Sequence, residues 1–147
     1  AIIGALVDAG VPELRISNRT LEKIDTLRFL CEGMPTNMLA VPWDDRAAML
    51  ERCGLLVNTT SLGMSGQPPL DISLDRLPDF AAVVDIVYAP LQTPLLRAAA
   101  LKGLRAVDGL GMLLHQAVPS FAAWFGVKPE VTPELRQLIV TNLEGKG

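Results

Sequence analysis

The run Ile16-Ser17-Asn18-Arg19-Thr20, with Lys23 three places on, decides how this chain is read. It has the form of a strand running into the turn that opens a helix. At the matching strand end of a dinucleotide-binding fold, an acidic side chain accepts a hydrogen bond from the ribose 2′-hydroxyl of NAD. A nearby arginine instead accommodates the 2′-phosphate of NADP. No acid stands here. Arg19 offers a planar fork that matches phosphate oxygens, and Lys23 adds a point charge one helical turn later. Asn18 and Thr20 supply neutral donors, and the helix N-terminus adds positive potential. The same residues also fit a solvated cap, with Thr20 as N-cap and two surface cations. The segment alone leaves both readings open.

Working outward, short apolar runs alternate with longer amphipathic ones. Residues 1–10 read as a helix already under way, since apolar residues at 2, 3, 6 and 7 have helical spacing and Gly10 and Pro12 stop it. Leu14–Ser17 is a strand candidate. Thr20 to Cys31 carries a helical apolar face, ended by Gly33 and Pro35. Met38–Val41 is a second strand, and Asp44 is a candidate cap for a helix from Asp45 to Cys53. Leu55–Val57 runs into the polar Asn58-Thr59-Thr60-Ser61, followed by a Gly- and Pro-rich loop. Ala82–Val87 is apolar on both faces apart from Asp85, which suits a central strand. Thr93 caps a helix from Pro94 to Lys102. Arg105–Val107 is a last strand. A helix from about Leu110 to Trp124 contains Pro119, and Thr132-Pro133 opens a final helix to about Leu143. Strands alternating with helices imply βαβ units, a parallel sheet and an α/β fold.

With 147 residues, half of them apolar, the chain suits one domain, 1–147, with a sizeable core. A formal charge of −3 gives no support to a nucleic-acid or anionic-membrane partner. Cys31 and Cys53 stand 22 positions apart and there is one histidine, so neither a zinc site nor a disulfide framework is suggested. A reducing cytoplasm fits better. The apolar stretch Leu110 to Val127 is broken by His115, Gln116, Pro119 and Ser120, ordinary for a buried helix and poor for a membrane span. No basic-then-apolar leader is visible. No apolar heptad is sustained, so the oligomeric state, a homodimer included, stays open.

Ligands of open α/β sheets lie outside the carboxyl ends of the strands. The residues to inspect are therefore Asn18-Arg19, Asn58 to Ser61, Asp85 to Tyr88, and Asp108-Gly109, expected along one edge.

Four segments occur in order: Asn18-Arg19-Thr20; Val57-Asn58-Thr59-Thr60-Ser61-Leu62-Gly63-Met64; Asp85-Ile86-Val87-Tyr88 with Thr93-Pro94-Leu95-Leu96; and Asp108 to Gln116, reading Asp-Gly-Leu-Gly-Met-Leu-Leu-His-Gln. Together they closely resemble the C-terminal half of the shikimate dehydrogenase family, including its quinate/shikimate relatives. The resemblance covers essentially the whole chain, and the last segment is the most specific. It implies a Rossmann-like doubly wound parallel sheet in three layers, lacking here the first strand and the glycine-rich turn. It also implies NADPH-dependent reduction of 3-dehydroshikimate to shikimate, a step of aromatic amino acid biosynthesis.

Carried over by position, Asn18, Arg19, Thr20 and Lys23 match the clamp on the 2′-phosphate; the family often has arginine where Lys23 stands. Thr60 and Ser61 match the loop beneath the cofactor's ribose and phosphates. Ile86 and Met112 match apolar residues beside the nicotinamide, and Gly109 the residue whose backbone approaches the carboxamide. Tyr88 and Gln116 match the two substrate contacts of this half. Plainer readings stand beside these. Tyr88 suits a rim position, Gln116 a buried carbonyl's partner, Gly109 and Gly111 a turn, and Met64 and Met112 core filling. Asp85 is read as capping a neighbouring loop, and His115, roughly a hundred degrees around the helix from Gln116, as structural.

The family's first strand, its glycine-rich turn and the domain carrying its catalytic lysine and aspartate precede the position of Ala1. The expectation is a fragment with no catalytic residue of its own, which alone binds NADP(H) weakly and shows no turnover; Lys23 and Lys102 look exposed and make poor substitutes. The competing reading is a non-catalytic nucleotide-binding module. Within the enzyme class, a quinate-using or NAD-preferring relative competes.

Overall fold

In the computed structural model, which describes residues 1–145, the chain forms two compact units, 1–51 and 52–147. The first begins with α1 (Ile2–Asp8), ended by Gly10 at φ 76°. β1 (Glu13–Ser17) pairs in parallel with β2 (Asn37–Val41), with Ile16 opposite Ala40. Arg15 ties β1 to the end of its unit: its guanidinium meets Glu13 at 2.7 Å and donates to the carbonyls of Met49 (2.7 Å) and Glu51 (2.5 Å).

Two helices expected in this unit are not regular helices. Between Thr20 and Cys31 there is a single α turn, α2 (Glu22–Asp25), then a 3-10 turn at Arg28–Cys31. The Thr26 hydroxyl donates to the Lys23 carbonyl at 2.7 Å, a local bond that competes with the helical ladder. Only Ile24 of this stretch is fully buried. Among the described residues Asp44 caps no helix, and in place of the helix read over 45–53 residues 43–50 hold two 3-10 turns, Trp43–Asp45 and Ala48–Leu50. The Trp43 carbonyl accepts both the Arg46 backbone N–H (3.3 Å) and the Arg46 guanidinium (2.7 Å), which lies 4.9 Å from the Trp43 ring centroid, so the bonding there is i to i+3 and not an α-helical ladder. Arg52, at φ 63°, closes the turn.

The second unit is built on a parallel sheet in the order β3 (Leu55–Asn58), β4 (Ala82–Asp85), β5 (Arg105–Val107). β4 is central, as its apolar composition predicts, with Val83 fully enclosed. The crossover from β3 to β4 contains no helix. It is held instead by buried Leu74, Leu77 and Ala81 and by the Lys102 ammonium, which donates to the carbonyls of Leu74 (2.7 Å), Asp75 (3.3 Å) and Leu77 (2.5 Å). Lys102 is therefore a half-buried brace, not the exposed cation expected.

α3 (Pro94–Leu101) follows β4 and buries Leu95, Leu96 and Ala99. α4 (Leu110–Phe125) carries Pro119 inside and ends on Gly126 at φ 69°, the left-handed cap that glycine adopts without a Cβ clash. α5 is Pro133–Glu144. The two Thr-Pro starts behave as predicted: Thr93 accepts from Leu96 N at 3.3 Å and Thr132 from Leu135 N at 3.2 Å. Parallel strands alternating with helices make the chain α/β.

Candidate functional site

In the second unit the carboxyl ends of β3 and β4 open into a cleft of about 320 Å³. One wall is Thr59, Thr60, Ser61 and Met64; the other is Ile86, Val87, Tyr88 and Ala89. Four expected site residues on two segments, Thr60 and Ser61 on one and Ile86 and Tyr88 on the other, thus share one depression. Met64 is 41 % exposed and lines this cleft, so it is not core filling. Periodicity could not have flagged it, because it lies in an irregular loop.

The walls are set by a buried polar chain. Asp85, 0 % exposed, accepts through Oδ1 from Asn58 Nδ2 (3.0 Å) and Val87 N (3.1 Å), and through Oδ2 from Thr93 Oγ1 (2.7 Å). Asn58 Oδ1 in turn accepts from Thr60 N at 3.0 Å and Thr60 Oγ1 at 2.8 Å. Asp85 therefore does hold neighbouring loops, as its position suggested. Asn58 and Thr93 are site-forming residues that the sequence reading left without this role.

Gly109 is pinned by contact. Its N–H donates to the Val87 carbonyl at 3.2 Å, and a Cβ placed on it would land on the Ile86 carbonyl and 2.8 Å from that of Val87. No larger residue leaves that backbone where it is. Asp108 next to it, just ahead of α4, accepts from Leu110 N (3.0 Å) and pairs with Arg136 of α5 at 2.6 Å. Met112, 37 % exposed on the first turn of α4, is not buried in the core either. Gln116 is exposed one turn further on and lines a different depression of about 470 Å³, with Leu113, Ala117, Ser120, Phe121, Trp124 and Phe125. His115 is exposed.

In the first unit, Asn18, Arg19, Thr20 and Lys23 are all exposed around the turn after β1. Asn18 Oδ1 accepts from Thr20 N at 3.0 Å. That bond closes a local turn ahead of α2, whose N-cap is Leu21 and which has no side-chain cap, so the N-cap role given to Thr20 by the plainer reading is not formed. That bond occupies the Asn18 oxygen and leaves its amide N–H groups as donors. Neither Arg19 nor Lys23 forms an ion pair among the described residues. The turn presents Arg19, Lys23 and neutral donors, the chemistry of an anion site, with the exposed carboxylates of Glu22 and Asp25 on the α2 turn beside them.

A family profile described as Shikimate 5'-dehydrogenase C-terminal domain matches residues 109–137. The shikimate dehydrogenase (NADP(+)) of Methylobacterium radiotolerans is 55 % identical over 145 residues, covering 99 % of this chain and 50 % of that protein. That of Nitrobacter winogradskyi is 51 % identical over 143 residues, covering 97 % of this chain and 50 % of its own length. The chain matches the C-terminal half of the shikimate dehydrogenases.

Solved structures agree. Quinate dehydrogenase from Corynebacterium glutamicum in complex with NAD superposes with a TM-score of 0.83 at 27 % identity, over 95 % of this chain and 50 % of that one. Shikimate 5-dehydrogenase from Thermus thermophilus, in complex with NADP(H) and shikimate, gives 0.73 at 30 % identity over 95 % and 49 %. The chain spans about half the length of the curated relatives it matches. The fold of these neighbours is Rossmann-like, as the sequence implies. Among the described residues, no helix is long and apolar enough to cross a membrane.

Proposed function

We propose that this chain is the cofactor-binding half of an NADP-dependent shikimate dehydrogenase, which reduces 3-dehydroshikimate to shikimate in the cytoplasm. The observation that carries the reading is the turn after β1, where Asn18, Arg19 and Thr20, with Lys23 three places on, follow a strand end whose residues 16–20 include no carboxylate. Arg19 and Lys23 would hold a 2′-phosphate, with Asn18 and Thr20 donating neutral hydrogen bonds. Thr60 and Ser61 would face ribose and phosphate oxygens. Ile86 and Met112 would hold one face of the nicotinamide, and the Gly109 backbone its carboxamide. Tyr88 and Gln116 would contact the substrate.

The bound dinucleotide supplies the hydride. The task of these residues is orientation: an aligned ring and acceptor are worth several kcal/mol of barrier, up to about 10. The 2′-phosphate is carried on the adenosine end of the dinucleotide and not on the nicotinamide, so the contribution of Arg19 is affinity. We assign no proton-transfer role to any of these residues.

A quinate-using, NAD-dependent relative is the second reading, favoured by the high structural similarity to the quinate dehydrogenase. A non-catalytic nucleotide-binding module is the third. In the full-length protein, turnover with NADPH and NADH on shikimate and quinate separates them. Charge-assisted bonds are worth about 1.5–3 kcal/mol, so Arg19→Ala should raise KM for NADP roughly 10- to 100-fold. KM for NAD should change little. Equal effects on both cofactors would undo the clamp, and no turnover with either would leave the module.

A further inference from the structure

We infer that Asp85 is a positioning residue, which through Asn58 and Thr93 fixes the two walls of the cleft against each other. The inference rests on the reading that this cleft receives the dinucleotide. Asp85 Oδ1 takes Asn58 Nδ2 and Val87 N, at 3.0 and 3.1 Å, and Oδ2 takes Thr93 Oγ1 at 2.7 Å. Val87 belongs to one wall, and Asn58 anchors the other by accepting from Thr60 N and Thr60 Oγ1. One carboxylate therefore sits at the root of both.

The chemistry of the group gives the chain of bonds a direction. A carboxylate only accepts, so the Asn58 amide must aim its NH2 at Asp85 and its oxygen at Thr60. The same NH2 also reaches the Leu62 carbonyl at 3.1 Å, and Thr60 Oγ1 accepts from Leu62 N at 3.1 Å. On the other side, the Thr93 hydroxyl spends its proton on Asp85 and accepts from Leu96 N, at 3.3 Å, at the start of α3. Loop 58–62, the segment after β4 and the first turn of α3 thus share one hydrogen-bond polarity.

Two other roles fit less well. Asp85 is fully enclosed, and both of its oxygens are occupied by donors of this chain, so it offers no surface for proton exchange with a substrate. Simple fold maintenance would not call for a charge, since a buried carboxylate without a cation is expensive and an apolar residue of similar volume is often at least as stable. What the carboxylate adds is a fixed amide orientation and hence a fixed loop.

The test uses the full-length protein and isosteric changes. Asp85→Asn introduces a donor that lets the Asn58 amide reverse, and Thr93→Val removes the hydroxyl while keeping its shape. Loosened reacting geometry costs about 10- to 100-fold in rate. Both variants should therefore lose roughly that much kcat at saturating NADPH, with circular dichroism unchanged. Thr93→Ser should stay within about twofold of wild type, because the hydroxyl is restored. Wild-type kcat in both folded isosteric variants overturns the proposal. So does a Thr93→Ser variant as slow as Thr93→Val, and so does failure of both isosteric variants to fold, which leaves fold maintenance alone.

If the wild-type protein itself does not turn over the dinucleotide, the proposed function has failed, and amide exchange reads the positioning claim instead. The Thr60 and Val87 N–H groups should then exchange about tenfold faster in Asp85→Asn while Val83 is unchanged. Unaltered exchange at Thr60 and Val87 overturns it.

Discussion

Residues 1–51 and 52–147 are both built on parallel strands, yet they hold their candidate site residues by different means. In the smaller unit the buried apolar residues are Val7, Ile24, Met38 and Leu50, and its helices are one or two turns long. Its candidate residues, Asn18 to Lys23, are exposed side chains on a turn. In the larger unit β4 is sandwiched between two strands, and the cleft rests on a buried polar chain and on a backbone contact at Gly109. The difference follows from the tasks proposed. Charge recognition falls off slowly with distance and tolerates a mobile cation. Placing a ring for hydride transfer does not tolerate a loose wall.

The sharpest way to break this comparison lies at two glycines two residues apart. Gly109→Ala drives a methyl group into the Ile86 carbonyl, whereas Gly111 has nothing within 4 Å of an added Cβ. Overpacking against backbone should cost about 3 kcal/mol or more, a fall in Tm on the order of 10 °C. Gly111→Ala, inside α4, should instead raise stability by about 0.5–1 kcal/mol. Thermal unfolding of the pair decides it. Equal shifts would mean that Gly109 is an ordinary turn glycine.

Next in size is Leu50→Ala in the smaller unit, where Leu50 is 1 % exposed. Its segment has only 3-10 turns around it and can partly collapse, so a loss near the low end, about 2 kcal/mol, is expected. Hydrogen exchange should show Leu14, Ile16, Met38 and Leu39 losing protection while Val83 and Val84 keep theirs. Matching losses in β4 would show that the two units unfold together, and the contrast between them would fail.

What was legible in the sequence divides along the same line. All five strands, α3, α4 and α5 fall close to where apolar runs and the Thr-Pro starts put them, because packing and caps there agree with local pattern. The helices read at 20–31 and 45–53 fail where side chains, Thr26 and Arg46, bond to nearby carbonyls, an effect that periodicity does not encode. At the site, the strand-end rule led to Thr60, Ser61, Ile86, Tyr88 and Gly109. It could not show that Asn58 and Asp85, 27 positions apart, meet through one hydrogen bond. Nor could it show that Gln116 lines a depression with Phe121 and Trp124 apart from the cleft of Tyr88.

The smallest effect sharpens the comparison from within the larger unit, because α5 has the character of the smaller one. None of its described side chains is fully buried, and it is held by the Thr132 cap and the pair between Arg136 and Asp108. Glu134, in its first turn, is held below the ordinary carboxylate range, first by a bond from its own backbone N–H and then by the Thr132 hydroxyl, against a small opposing desolvation. A carboxyl whose pKa falls on folding adds stability that is complete above its unfolded value and fades as pH drops through its folded one. Helicity of α5, read by amide exchange in wild type and Glu134→Gln, should therefore differ slightly near pH 6, narrow once the pH falls below the unfolded carboxylate value and converge below the lower folded one. A gap that persists at the lower pH would assign the difference to the neutral hydrogen bonds of the cap. α5 would then depend on geometry, like the cleft, and not on charge, like the turn after β1.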